Sequence, residues 1–265
     1  MKVAGLSWKV VKALLSTQYA YMLEYRAEIA FWALSGVLPF IMLALWSNNE
    51  IGGELGFERY ELSRYFLSAF LVRQFSVVWV VFAFEEDALL GRLSPYLLQP
   101  LHPLWRYVAS HLAEQATRLP FALAIAGIFF LFNPSSFWIP SLGRFLLAWL
   151  ATLFSFSIAF LLQSLIAALC FWSERASALE RLLFVPYLFL SGLLAPLLAF
   201  PPSVYKVAMW TPFPYLIYFP ARVLADVQVN ILGGFIAQLI WILLLLPMVL
   251  FLWRLGVRRY TAMGA

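Results

Sequence analysis

From Phe145 to Ser173 the chain runs for 29 residues without a charged side chain. An α-helix crosses a hydrocarbon core of about 30 Å in roughly 20 residues, so this segment tilts or projects beyond the bilayer. Five further apolar segments accompany it: Ile29 to Trp46, Tyr65 to Phe84, Trp105 to Phe132, Leu182 to Phe200 and Ile231 to Trp253. Lipid offers no hydrogen-bond partners, so each is read as helix. With 64% hydrophobic and 12% charged residues and a mean hydropathy of +0.86, the chain falls outside the soluble globular class. The expected fold is all-α and integral to the membrane, a single transmembrane domain over residues 1–265 with six transmembrane helices.

The segments differ in their interruptions. Pro39 kinks the first, Arg73 interrupts the second, and the third carries His111, Glu114 and Arg118 in its first half. The fifth holds Pro186, Gly192 and Pro196 and runs directly into Pro201 and Pro202. It alone is clearly broken. Residues 203–226 mix Lys206, Pro212, Pro214, Pro220, Arg222 and Asp226 with aromatics, too polar for a straight span. They predict re-entrant or surface-lying half-helices over 199–226, covered by protein or water. Ahead of the first span, residues 3–22 place Lys9, Lys12 and Ser16, with Lys2 and Gly5, on one side of a helix and Val10, Val11 and Leu14 on the other. That is an interfacial helix with its lysines toward anionic headgroups. A signal peptide fits poorly, because no unbroken apolar core precedes Glu24. Residues 47–64 form an acidic loop with Glu50, Glu54, Glu58 and Glu61.

Six spans put both termini on one side. Assigning that side, with the 85–106 and 173–181 loops, to the cytoplasm places eleven basic residues inside: Lys2, Lys9, Lys12, Arg26, Arg92, Arg106, Arg175, Arg181, Arg254, Arg258 and Arg259. Five lie outside: Arg59, Arg64, Arg144, Lys206 and Arg222. The positive-inside rule therefore favours cytoplasmic termini. The basic residues are scattered singly, which argues against a nucleic-acid partner. The one cysteine, Cys170, excludes an intramolecular disulfide and a cysteine-based metal cluster.

No phosphate loop, zinc-protease, nucleophile-elbow or dinucleotide motif is present, so the chain is not expected to be an enzyme or to hydrolyse nucleotide by itself. His102 reads as a loop residue and His111 as a polar helix residue. Charge within a span marks a candidate functional site. Arg73 and Arg118 lie at similar depth, ~18 Å from the cytoplasmic boundary by helical rise. Glu114 stands four residues before Arg118, the favourable order for an ion pair. An Arg73–Glu114–Arg118 cluster holding two helices in register is the favoured reading; a polar lining of a substrate path is the other.

Between the second and third spans, residues 85–103 are polar and proline-broken. Glu85, Glu86 and Asp87 open the stretch, Gly91 hinges it, Leu93 to Leu98 form a short amphipathic turn, and Pro100 and Pro103 stop it. Such a helix is a rigid handle for a soluble partner, with Leu93, Leu97 and Leu98 buried against that partner.

In this order of elements the chain resembles the permease subunit of type-2 ABC exporters. The resemblance rests on Glu86, Gly91, Leu93, Leu97, Leu98, Pro100 and Leu101 in the loop, and on Thr211-Pro212-Phe213-Pro214-Tyr215-Leu216 leading to Arg222. It implies that Glu86, Gly91, Leu93, Leu97, Leu98 and Gln99 couple to a separate ATPase, with 173–181 as a second cytoplasmic contact. It further implies an outer gate at Pro201, Pro202, Pro212, Phe213 and Arg222. No cofactor is expected on this chain, ATP and Mg being used by the partner ATPase. A second permease, identical or not, would complete the pathway in a bacterial inner membrane. Thr211 stands where the family often has Asn, which leaves the substrate open among lipids, glycans and amphipathic drugs. The alternative is an ion-gradient-driven secondary transporter, which should show broken helices in matching halves.

Overall fold

The structure, a computed structural model, describes residues 7–46, 59–173 and 175–260. The expectations placed on Lys2, Gly5, Glu50, Glu54, Glu58 and Glu174 lie outside the described residues. Among the described residues there is helix and no strand. The helices are α1 (Trp8–Glu24), α2 (Arg26–Ser35), α3 (Leu38–Trp46), α4 (Arg59–Ser76), α5 (Val80–Leu89), α6 (Leu93–Leu97), α7 (Leu104–Phe132), α8 (Leu142–Ala168), α9 (Ser177–Leu190), α10 (Pro202–Met209), α11 (Tyr218–Leu224) and α12 (Ile231–Arg259). Among the described residues five stretches are long and apolar enough to cross a membrane: Arg26–Trp46, Tyr60–Leu89, Leu104–Phe132, Leu142–Phe171 and Ile231–Arg259.

Local chemistry sets the helix ends. Ser141 accepts a hydrogen bond from the Arg144 amide (3.3 Å) at the start of α8, and Asn230 accepts one from Gly233 (2.9 Å) at the start of α12. Each satisfies an amide that the helix itself leaves open. Arg258 and Arg259 close α12, where cations complement the carbonyl end of the helix dipole.

The interior is built on α4 and α8. Tyr65, Phe66, Phe70 and Phe84 are fully buried, and α12 packs along α8. The buried face of α8 is dominated by small residues, including Ala148, Ala151, Thr152, Ser155 and Ala159, and α12 answers with Gly234, Gln238, Leu245, Val249, Trp253 and Gly256. Small residues let membrane helices approach where no hydrophobic effect drives them together. Gln238, wholly buried, donates to the carbonyls of Ala151 (2.9 Å) and Tyr215 (3.0 Å). A Cβ at Gly234 would lie 1.9 Å from the Phe219 ring. Gly234→Ala should therefore destabilise the detergent-solubilised protein by about 1–3 kcal/mol, and adding Phe219→Leu should return part of it. Equal melting of the single variant and the native protein would disprove this packing.

The apolar run Leu182 to Phe200 is not one helix. α9 ends at Leu190 after 14 residues, Gly192 is left-handed at φ +84°, and the chain continues irregularly to a single 3-10 turn at Leu197–Ala199. A side chain at position 192 would sit 2.5 Å from the Tyr65 hydroxyl. The exposed backbone is satisfied from neighbouring elements: Tyr65 donates to the Gly192 carbonyl (2.6 Å), Trp46 to Leu194 (3.0 Å), and the Tyr218 amide to Ser191 (2.8 Å). Residues 199–226 then form α10, a turn at Phe213–Tyr215 and the buried α11, which packs on α4 and α8. At the N-terminus α1 packs against α7. Val11, Leu14, Leu15, Gln18 and Met22 are half-buried there, while Lys9, Lys12 and Ser16 are exposed.

Candidate functional site

The second span is interrupted. Helix stops at Ser76 and resumes at Val80, although Val77-Val78-Trp79 contains neither Gly nor Pro. The fifth segment is thus not the one broken helix. Opened backbone at membrane depth survives only where other groups satisfy it, and the polar side chains of the neighbouring spans do so. From α7, Gln115 donates to the Phe75 carbonyl (2.7 Å) and Arg118 to the Gln74 carbonyl (3.1 Å). Also from α7, His111 Nε2 accepts from the Trp79 amide (2.8 Å). From α8, Gln163 Oε1 accepts from the Val81 amide (3.2 Å). His111 Nδ1 lies 2.7 Å from the Tyr107 carbonyl. An amide can only donate and a carbonyl only accept, so the imidazole is neutral with its proton on Nδ1.

The expected charge cluster is resolved into two parts. Glu114 and Arg118 form an ion pair on α7, with the Arg118 side chain only 3% exposed. No ion pair joins Arg73 to Glu114 among the described residues. Arg73 instead lines a cavity of about 90 Å³ beside the break, together with Trp79, Gln163, Glu180, Tyr187 and Phe213. The Glu180 carboxyl group has its pKa raised above the usual range by burial and accepts from Gln163 (3.3 Å).

α5 leads straight from the break into the loop. Gly91 turns the chain at φ +70°, the left-handed region where glycine carries no Cβ penalty, and α6 follows. Arg92 pairs with Glu86 and lies 3.4 Å from Asp87. Tyr107 donates to Asp87 (2.8 Å), and the Arg106 guanidinium lies 3.9 Å from the centre of the Tyr96 ring. Glu85 accepts from both the amide (2.8 Å) and the hydroxyl (3.0 Å) of Ser177, which joins this loop to the start of α9. At the far end of the loop His102 packs tilted against Trp253 with ring centroids 4.7 Å apart, and burial lowers its pKa. The loop is therefore pinned to α7, α9 and α12.

The loop leucines do not share one environment. Leu93 is fully buried within this chain and Leu97 half-buried, whereas Leu98 is 88% and Leu90 63% exposed. Gln99 and Pro100 are exposed beside Leu98, and Glu86 is exposed as well. Leu93 anchors α6 to the body, and the free apolar surface belongs chiefly to Leu90 and Leu98, with Leu89 beside them. Leu90 carries no motif; only its exposure on the folded loop reveals it.

The residues expected at an outer gate also divide. Pro201 and Pro202 begin α10 on the surface. Pro212 is buried, and Phe213 faces the 90 Å³ cavity. Arg222, on α11, lines a separate cavity at the start of α12. A helix of 29 residues separates that cavity from the loop end, roughly 43 Å at 1.5 Å per residue.

Comparison with curated proteins and with solved structures gives no match. The family model described as ABC-2 family transporter protein matches residues 27–264, from the first span through the loop and the broken second and fifth segments to α12. The chain belongs to the ABC-2 transporter family and is a multi-pass membrane permease of that type.

Proposed function

We propose that this permease is the membrane half of an ATP-driven exporter, working as a dimer with a second permease and coupled to a separate ATPase through residues 85–103. The observation that carries the coupling role is the position of α6. It is a pinned helix flanked by the exposed Leu90 and Leu98, at the end of a helical segment that is itself set off by the break at Val77–Trp79. A push on Leu90 and Leu98 moves α5 as a unit against the hydrogen bonds from His111 and Gln163, and so reaches the 90 Å³ cavity. Glu86, Gly91, Leu93, Leu97 and Gln99 shape and hold the handle.

The basic residues support cytoplasmic termini in a bacterial inner membrane, since Arg254 and Arg258 share a surface with Leu97, Pro100 and His102. On that orientation the broken fifth segment brings the number of transmembrane elements to six, residues 199–226 re-enter from outside as a gate, and α1 lies at the inner interface. α9 has none of its side chains buried. It exposes Leu182, Val185 and Phe189, the face on which the second permease is placed.

Ion-gradient-driven transport has one observation in its favour. In a chain of six segments, the second and fifth are the corresponding members of two three-span halves, and both are broken, as in inverted-repeat transporters, although the first segment is interrupted as well, between α2 and α3. Affinity purification from the native membrane in mild detergent, with mass spectrometry, separates the two readings. A soluble ATPase near one copy per permease is the expected result. A chain recovered without one would transfer the assignment to gradient-driven transport.

A further inference from the structure

Among the described residues two arginines are buried, Arg118 and Arg222, and they are treated differently. Arg118 has Glu114 as its counter-ion. Arg222 is 9% exposed and no carboxylate pairs with it among the described residues. Its Nη1 donates to the Tyr218 hydroxyl (2.6 Å) and its Nη2 to the Gln228 carbonyl, while Nε has no partner. A buried cation without a counter-ion carries a desolvation cost that neutral acceptors only partly offset.

The sequence offers a counter-ion that the fold withholds. Asp226 stands four residues after Arg222, the spacing of a helical ion pair. α11 ends at Leu224, however, and Asp226 adopts φ +58° and pairs with Arg144 at 2.9 Å. The positive charge of Arg222 is left facing a cavity of about 570 Å³, a volume typical of small-ligand sites. None of the described residues lining this cavity is acidic. Tyr205, Tyr215 and Phe219 give it aromatic walls, and Asn230 and Gly233 bring the amide end of α12 to its edge, where the helix dipole adds to the positive field. A pocket that joins one unpaired guanidinium to aromatic walls selects a molecule with one anionic group and an apolar body.

We infer that the Arg222 cavity binds the phosphate or carboxylate head of an amphiphile with a single anionic head group. This deepens the permease reading by naming the class of molecule held at the end remote from the loop. Binding is measured without an ATPase, so either reading can fail alone.

The test is thermal unfolding of the purified full chain in dodecyl maltoside, titrated with decyl phosphate. The melting temperature should rise and saturate, and decyltrimethylammonium should give no rise. Arg222→Gln should raise the half-saturating concentration about tenfold or more, by loss of the charge-assisted hydrogen bonds. Arg222→Lys should raise it less. Val229→Glu is the companion variant in case Arg222→Gln does not fold. Val229 is half-buried on the same cavity, and a carboxylate there supplies the missing counter-ion from within, abolishing the response in a folded protein. A response to decyl phosphate that is equal in Val229→Glu and the native chain would overturn the site, and so would equal stabilisation by the alkylammonium. Inorganic phosphate acting alone at the same concentration would overturn the requirement for an apolar tail. Competition by phosphatidylglycerol, absent with phosphatidylcholine, would identify the occupant as a bilayer lipid; no competition by either would identify a single-chain cargo.

Discussion

Arg118→Met should cost the solubilised protein about 3–5 kcal/mol of stability, the range for breaking a buried ion pair from one side. The change leaves the Glu114 carboxylate without its cation and the Gln74 carbonyl at the break without its donor. Glu114→Gln should cost less, because Arg118 keeps Gln74 and gains a neutral acceptor. Combining the two should recover much of the Arg118→Met loss, leaving roughly 1 kcal/mol for the missing bond to Gln74. Chemical or thermal unfolding of the four proteins forms a double-mutant cycle. Strict additivity of the two changes would show that Glu114 and Arg118 do not form the pair described.

His111→Ala tests the break itself. It removes the acceptor of the Trp79 amide and the donor to the Tyr107 carbonyl, with an expected loss of about 1–3 kcal/mol per group left unsatisfied in an apolar site. His111→Gln retains an acceptor and a donor and should restore part of the stability. Hydrogen exchange gives a second readout. In His111→Ala the amides of Trp79 and Val81 should exchange faster, while those in the middle of α8 should not change. Unaltered protection at Trp79 would mean that the histidine does not cap the broken helix.

Much of the fold was legible in the sequence because membrane helices announce themselves by length and by absence of charge. The run from Phe145 to Ser173 became α8 and its closing turn with little displacement. Gly192 and Pro196 correctly marked the disruption of the fifth segment, since a left-handed glycine and a proline are backbone signals. The break at Val77–Trp79 left no such signal: valine and tryptophan are compatible with helix, and the cause lies in partners 32 to 82 positions away. The sign that was available is indirect. His111, Gln115, Arg118 and Gln163 are polar residues within apolar spans, and at that depth each must bind something. The Glu114–Arg118 pair followed from spacing alone. Arg222–Asp226 has the same spacing and does not form, because α11 ends between them; a helix terminus decided by tertiary packing is not written in an i, i+4 pattern. For the same reason the loop could be recognised as a handle while its contact leucines could not be sorted. Leu93 and Leu98 are alike in sequence and opposite in exposure.

The central claim is that force enters through the exposed leucines of the loop. The most direct measurement is ATP hydrolysis by the permease–ATPase complex in liposomes, comparing Leu98→Asp with the native chain at equal membrane insertion. The account predicts turnover reduced to that of the ATPase without permease, with Leu90→Asp behaving alike. Undiminished permease-stimulated turnover in Leu98→Asp would contradict it.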